Sequence, residues 1–340
     1  MFRRALFLYD FAMLRTPVPV ELLSFLKQHS SFFLIPHIEP DGDCIRSALG
    51  LGLFLQRVGK RVYLHDLGPF ERKEIKPWAS QFAGRIPQEL LDKEPDAGVI
   101  VLDCSTIDRI GDLAKDIGGH TVAVIDHHSS GLAFGDIRFV NPSSPATSLL
   151  VQQVIEELGY TVSADEAEHL FFAFCTDTGF FRHLEANGGD SLRMASRLLD
   201  AGASPKRTFG EMNGGAALVG RRHLGVLLSR VESLADGAIL LSYELKEETD
   251  AIGRQNRESD LLYQMLMGIE GVELVITLRE ETKTHITGGL RSRTKIDVGK
   301  LALSLGGGGH SRAAGFALDG SLATAKERVT TLALEALQKA

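Results

Sequence analysis

Thr121-Val122-Ala123-Val124-Ile125-Asp126-His127-His128 is the stretch on which the reading of this chain turns. A fully apolar β-like run ends abruptly in a carboxylate and two imidazoles, and such a tripeptide has few structural uses. His127 can ligate a metal, His128 can meet a phosphate, and Asp126 can orient an imidazole from behind. Working outward, the same arrangement recurs. Phe32–Pro36 ends at His37-Ile38-Glu39-Pro40-Asp41-Gly42-Asp43, and Gly98–Leu102 ends at Asp103. A further apolar segment ends at Thr176-Asp177-Thr178-Gly179. With Arg61–His65 and Ile137–Val140 as further strands and helical stretches such as Ile45–Val58 between them, the pattern is that of a doubly wound α/β domain. The strand ends of an open parallel sheet open on one crevice. Residues far apart in sequence therefore converge as a cluster of Asp and His, the ligand set of a dinuclear hard-metal site.

Taken singly, the other elements say less. His37, Asp41 and Asp43 lie in a turn with Pro40 and Gly42 that can aim two carboxylates and an imidazole at one point. Either Asp could instead do no more than cap the helix that follows. Asp103 alone reads equally as a turn residue, and Asp177 as a helix cap. Far downstream, Gly306-Gly307-Gly308-Gly309-His310 sits between apolar, element-like flanks, which favours a ligand-binding loop over a flexible linker. Arg291, Arg293, Lys295, Lys300 and Arg312 face one acid, Asp297, between 291 and 312, a local excess suited to phosphate.

Composition sets the limits. The 340 residues suffice for two domains with real cores, and 44% hydrophobic with 24% charged residues is an ordinary soluble balance. No apolar run approaches the roughly 18 residues needed to span a bilayer. The opening Met1–Tyr9 resembles a signal peptide, but Asp10 interrupts it and no cleavage site follows, so a cytoplasmic protein is expected. Cys44, Cys104 and Cys175 match no zinc spacing and fit a reducing compartment. Each lies within two residues of Asp43, Asp103 or Asp177, so they either ring the crevice or pack beneath it. A formal charge of −7 argues against a long nucleic-acid groove and leaves room for a short anionic ligand. From Ala238 the pattern changes to strands at Ala238–Tyr243, Val272–Leu278 and Thr284–Leu290, with helices at Glu258–Gly268 and Val298–Leu305. The expected organisation is residues 1–200 as the metal-site domain, 201–235 as a helical linker, and 236–340 as a smaller α/β substrate-binding domain with a mixed sheet. The active-site cleft is expected between the two.

These motifs resemble the DHH phosphoesterase family. His-x3-Asp-x-Asp, an isolated Asp, Asp-His-His and Thr-Asp-Thr-Gly follow its order, and Gly-Gly-Gly-Gly-His resembles its associated C-terminal domain. Thr-Asp-Thr-Gly-x-Phe-Arg at 176–182 and Arg291-Ser292 make the chain most similar to the short oligoribonuclease/pAp phosphatases. The resemblance implies one metal held by His37, Asp41 and Asp103, and a second by Asp43, Asp103, His127 and Asp177, with Mn²⁺ the expected ion and Mg²⁺ or Co²⁺ as alternatives. It implies catalytic roles for Asp103, Asp126 and His128, and substrate contacts from Arg291, Ser292, Gly307, Gly308, Gly309 and His310. The implied substrates are short oligoribonucleotides, dinucleotides or pAp; no membrane or long nucleic acid is implied, and a homodimer is left open. A signalling-dinucleotide hydrolase is the near alternative, since only the C-terminal pocket discriminates. A long-DNA exonuclease, a pyrophosphatase and a non-catalytic nucleotide-binding protein fit less well: the chain is acidic, it carries the glycine loop, and no metal carboxylate is missing. Two residues depart from the family pattern. Arg46 stands where relatives usually carry glycine, and Cys44 where they usually carry alanine; Arg46 is expected to alter access or add a phosphate contact.

Overall fold

The apolar runs become the middle of a parallel sheet. In the computed structural model, which describes residues 16–104, 106–129, 131–184 and 188–339, α1 (Val20–Gln28) leads into β1 (Ser31–Ile35), α2 (Gly42–Arg57) and β2 (Arg61–Leu64). Then come α3 (Gln88–Lys93), β3 (Gly98–Leu102), α4 (Leu113–Asp116), β4 (Val122–Asp126) and β5 (Ile137–Val140). The sheet order is β2-β1-β3-β4-β5 and every pair is parallel. Alternate residues of one strand enter different cores. Phe32, Leu34, Ile100, Leu102, Ala123 and Ile125 pack on one face, and Phe33, Ile35, Val99, Val101 and Val124 on the other. Burial on both faces explains why these runs are continuously apolar rather than alternating. Between β1 and β3 the strand order reverses direction, and the crevice at the strand ends opens there.

Helices α5 (Thr147–Glu157), α6 (Ala164–Asp177), α7 (Gly189–Asp200) and α8 (Pro205–Asn213) complete this unit. α2 begins at Gly42, earlier than the apolar pattern suggested, because the Asp41 side chain caps it by accepting from the Asp43 and Cys44 amides at 3.0 and 3.1 Å. α2 and α6 pack closely where Gly42 faces Thr176, since a Cβ at Gly42 would come within 2.5 Å of Thr176 Cγ2. The opening Met1–Tyr9 and the Asp10 that follows it lie outside the described residues.

The chain divides between Gly214 and Gly215. The stretch expected as a helical linker is thus shared out. α8 joins the first unit, with Thr208 buried and Met212 on its core, while Leu224 and Leu227 of α9 (Leu218–Ser229) anchor that helix in the second. The second unit continues with β6 (Glu232–Leu234), β7 (Ile239–Glu244), α10 (Lys246–Ile252), α11 (Ser259–Met267), β8 (Leu274–Thr282) and β9 (His285–Ser292). It ends with α12 (Val298–Ser304), β10 (Gly308–Gly309), β11 (Ala313–Asp319) and α13 (Leu322–Gln338). Its mixed sheet runs β10-β11-β9-β8-β7-β6, with only β7 and β8 parallel.

Candidate metal centre

Four chain segments deliver the acidic and imidazole groups. His37 follows β1, Asp41 and Asp43 start α2, Asp103 follows β3, and Asp126 ends β4 just before His127 and His128. Asp177 comes from a different source, the last residue of α6. A carboxylate there opposes the helix dipole and gains nothing as a cap, so its place needs another reason. Asp103 sits at φ +57°, a left-handed conformation costly for a non-glycine residue and typical of functional sites.

Among the described residues, three groups have ligand atoms within 4.8 Å of one another: His37, Asp41, Cys44 and Asp103; Asp43, His127 and Asp177; and Asp103, His127 and His128. Asp103 and His127 each belong to two of them, as expected of a shared centre. His127 Nδ1 donates to the Ser144 carbonyl at 3.2 Å, so Nε2 faces Asp177 Oδ2 at 3.1 Å and Asp103 Oδ1 at 3.4 Å. His37 Nε2 lies 3.8 Å from Asp103 Oδ2. Asp126, almost fully buried, accepts from His128 Nδ1 at 2.7 Å, and the half-exposed His128 ring keeps its Nε2 free.

The electrostatics are those of a site short of positive charge. Burial pushes the Asp43 carboxyl up to about 7, with Asp177 adding to it. Burial and the neighbouring Asp43 likewise raise Asp103. Burial works against a charged His127, yet the hydrogen bond to Asp177 and the surrounding carboxylates hold its imidazole at about 10. Burial lowers His37, which favours the neutral, ligating form. Buried carboxylates of this kind are tolerated when paired or when they coordinate cations, and oxygen and imidazole donors suit Mn²⁺, Mg²⁺ or a similar ion. The donor set therefore fits a resident divalent metal.

Sequence reasoning missed the support beneath these ligands. The N-terminus of α5 grips Asp43: the Thr147 amide lies 2.6 Å from Oδ2 and the Ser148 amide 3.1 Å from Oδ1. Ser47 Oγ adds a third bond at 3.0 Å, and Thr147 Oγ1 donates to Asp103 at 2.9 Å. Ala146-Thr147-Ser148 before an apolar run was the available signal, as a helix start. The three cysteines are buried and free, and burial raises Cys104 and Cys175 to about 12 and Cys44 also above its usual range. They are neutral packing groups, with Cys44 alone inside a ligand group.

Arg46 corrects an expectation. Its guanidinium does not reach towards the crevice. It is buried between the rings of Trp78 and Phe172, at 4.3 and 4.1 Å, hydrogen-bonds His169 at 3.0 Å and pairs with Glu211. Stacking and pairing recover what the desolvated cation loses, and the residue ties α2 to α6 and α8.

In the second unit, the Arg291 guanidinium carbon lies over the Tyr263 ring, 4.5 Å from its centroid, and the Tyr263 hydroxyl is bonded to Thr277. Gly308 and Gly309 pair with β11 as a short hairpin, with His310 exposed at its turn. Gly307 is there for room, since a Cβ would overlap the Gly315 carbonyl, and Gly309 for its φ of +143°. Gly308 borders open space. Ser292 is engaged elsewhere, its buried hydroxyl donating to the Ile296 carbonyl at 2.6 Å.

Residues 31–174 match the N-terminal domain of the DHH family, and residues 245–339 match the DHHA1 domain. The bifunctional oligoribonuclease and PAP phosphatase NrnA of Thermus thermophilus is 31% identical over 310 residues, 91% of this chain and 90% of that protein. The chain belongs to the DHH family. Among solved structures, an exopolyphosphatase-related protein from Bacteroides fragilis has a TM-score of 0.81 at 26% identity, covering 96% of this chain and 98% of its own. The RecJ of Thermus thermophilus, solved with Mn²⁺, shares the fold at a TM-score of 0.54 and 17% identity, with 93% of this chain matched to 54% of that one.

Proposed function

We propose that this DHH-family phosphoesterase hydrolyses very short oligoribonucleotides to mononucleotides and also removes the 3′-phosphate of pAp. The observation that carries the reading is the convergence of His37, Asp41, Asp43, Asp103, His127 and Asp177 into overlapping ligand groups, beside an oriented imidazole with a free nitrogen. The named NrnA relative, similar over nine-tenths of the chain, supports this substrate class over signalling dinucleotides.

His37, Asp41 and Asp103 would hold one divalent cation and Asp43, Asp103, His127 and Asp177 the other, with Mn²⁺ the best match to the donors. Bound there, the ions supply charge neutralisation and Lewis acidity at the scissile phosphate. The protein's own groups do the rest. Asp126 fixes the His128 ring, and with both ring nitrogens protonated its Nε2–H can donate to a phosphate oxygen or pass its proton to the leaving oxygen, leaving the neutral imidazole with its Nδ1–H on Asp126. The α5 N-terminus keeps Asp43 aimed. Arg291, stacked on Tyr263, and the open edge of the hairpin at Gly308 and His310 would bind parts of the substrate away from the bond cleaved, Gly307 and Gly309 shaping that hairpin. Three free thiols suit a reducing compartment, and no described helix is long and apolar enough to cross a membrane; we place the enzyme in the cytoplasm.

Purified protein with Mn²⁺ would be assayed on pAp, di- to pentaribonucleotides, pApA and cyclic di-AMP. The reading expects the highest kcat/KM on di- and trinucleotides, with pAp also turned over. A clear preference for cyclic di-AMP would overturn it.

A further inference from the structure

An arginine that the motifs do not include stands beside the proposed ligand His37. Arg109 belongs to the single-turn 3₁₀ helix Ile107–Ile110 after β3. Its carbonyl accepts from the Ile38 amide at 2.7 Å, which ties its loop to the one carrying His37. The residue is exposed overall, and its guanidinium Nη2 lies 2.9 Å from His37 Nδ1 in a partly buried contact. Among the described residues no carboxylate pairs with it, whereas Arg85 and Lys115 of the same unit pair with Asp116 and Asp112.

The contact with His37 conflicts with ligation. His37 Nδ1 also lies 2.8 Å from the Ile38 carbonyl. A neutral imidazole carries one N–H. For Nε2 to offer its lone pair on the Asp103 side, the hydrogen must sit on Nδ1, where the Ile38 carbonyl accepts it. The Arg109 N–H then meets another N–H and has no acceptor there. Once His37 serves as a ligand, Arg109 is a forked cation next to that ligand, tethered through its own backbone and without a partner among the described residues.

The geometry points to Arg109 as a phosphate-binding residue of the first unit, gripping the non-bridging oxygens of the scissile phosphodiester and the phosphate of the mononucleotide product. This rests on the phosphoesterase reading. A guanidinium matches a phosphate edge with two parallel donors, a fit that lysine provides only in part. The bound phosphate gives those donors the acceptor that His37 no longer offers.

AMP serves as the probe, titrated by calorimetry into Mn²⁺-saturated wild type, Arg109→Gln and Arg109→Lys, with metal content measured on each. Arg109→Gln is expected to keep its metal and to bind AMP about 10–100-fold more weakly, as for one lost charge-assisted contact. Arg109→Lys should recover part of that loss. kcat/KM should fall by a similar factor on a dinucleotide and on bis-p-nitrophenyl phosphate, because both present the scissile phosphate. Equal AMP affinity in wild type and Arg109→Gln overturns the assignment. So does reduced metal content in Arg109→Gln, which would make Arg109 a support for His37. If the wild type hydrolyses no phosphoester, the functional reading fails, while the AMP comparison still decides the role of Arg109.

Discussion

The two candidate regions differ in how their charges are kept. In the metal centre, Asp43 and Asp103 are buried among other carboxylates and held by backbone amides and hydroxyls, and among the described residues the basic side chains grouped with them are imidazoles. Around Arg291 the reverse holds: the guanidinium is half-buried on an aromatic ring whose hydroxyl is itself bonded. The first arrangement is costly until a cation arrives, whereas the second is settled without a ligand. Chemistry is therefore expected from the first region, and binding from the second.

The sharpest way to break the comparison is Asp103→Ala. It removes the carboxylate common to the two proposed metals, and turnover should fall at least about 10²-fold, the scale of a lost electrostatic element at a reacting centre. Circular dichroism should show the fold retained, since Leu102 and the other strand residues stay buried. Activity above a few per cent of wild type would end the bridging assignment.

Metal removal should show the same strain as a stability effect. Asp43 is held at about 7 in the folded chain against 3.8 as an ordinary carboxyl, so below pH 7 the folded state binds the extra proton. Metal-free protein should therefore lose stability as pH rises from about 4 to 7. His127, raised from 6.5 to about 10, extends the decline above neutrality. Mn²⁺ should flatten the slope. Thermal melts of the metal-free protein at pH 5 and 8 would test it, and a higher melting temperature at pH 8 would contradict the charge account.

On the other side, Arg291→Ala should weaken dinucleotide binding by about 1.5–3 kcal/mol, the worth of a charge-assisted contact. Tyr263→Leu should cost less, about 0.5–2 kcal/mol, because it removes the platform and leaves the cation; Tyr263→Phe should retain most of the affinity. Steady-state KM on di- and trinucleotides, with bis-p-nitrophenyl phosphate in parallel, separates binding from chemistry. Equal losses on both substrates would put Arg291 in the chemical step, and an unchanged KM would remove it from the substrate.

The smallest effect is expected from replacing Cys44, Cys104 and Cys175 together by Ala. Metal stoichiometry should hold, at a modest cost in melting temperature for three small vacancies. Cys44 is the sensitive member, because its sulfur lies in one ligand group. A fall in metal content would make it a ligand.

Much of this was legible beforehand, for a physical reason. Strands buried on both faces must be continuously apolar, so β3 and β4 were found to within a residue, and charged groups at their ends stood out. β11 was harder. Only every second residue of Ala313–Asp319 is buried, and its start reads as a continuation of the glycine loop. Asp177 reads in the sequence as an acidic member of the cluster, whereas its position at the end of a helix appears only once α2 and α6 are packed through Gly42 and Thr176.

What the sequence by itself determined is the sheet, the family and which carboxylates and imidazoles are available, because apolar periodicity and short motifs are local. Tertiary structure alone decided where long side chains go. Arg46 and Arg109 are both arginines a few residues beyond a ligand motif, yet one is sealed between Trp78 and Phe172 and the other stands exposed beside His37. Their partners come from 32 to 165 residues away, and a flexible four-torsion side chain settles by what packing places around it, which spacing along the chain does not encode.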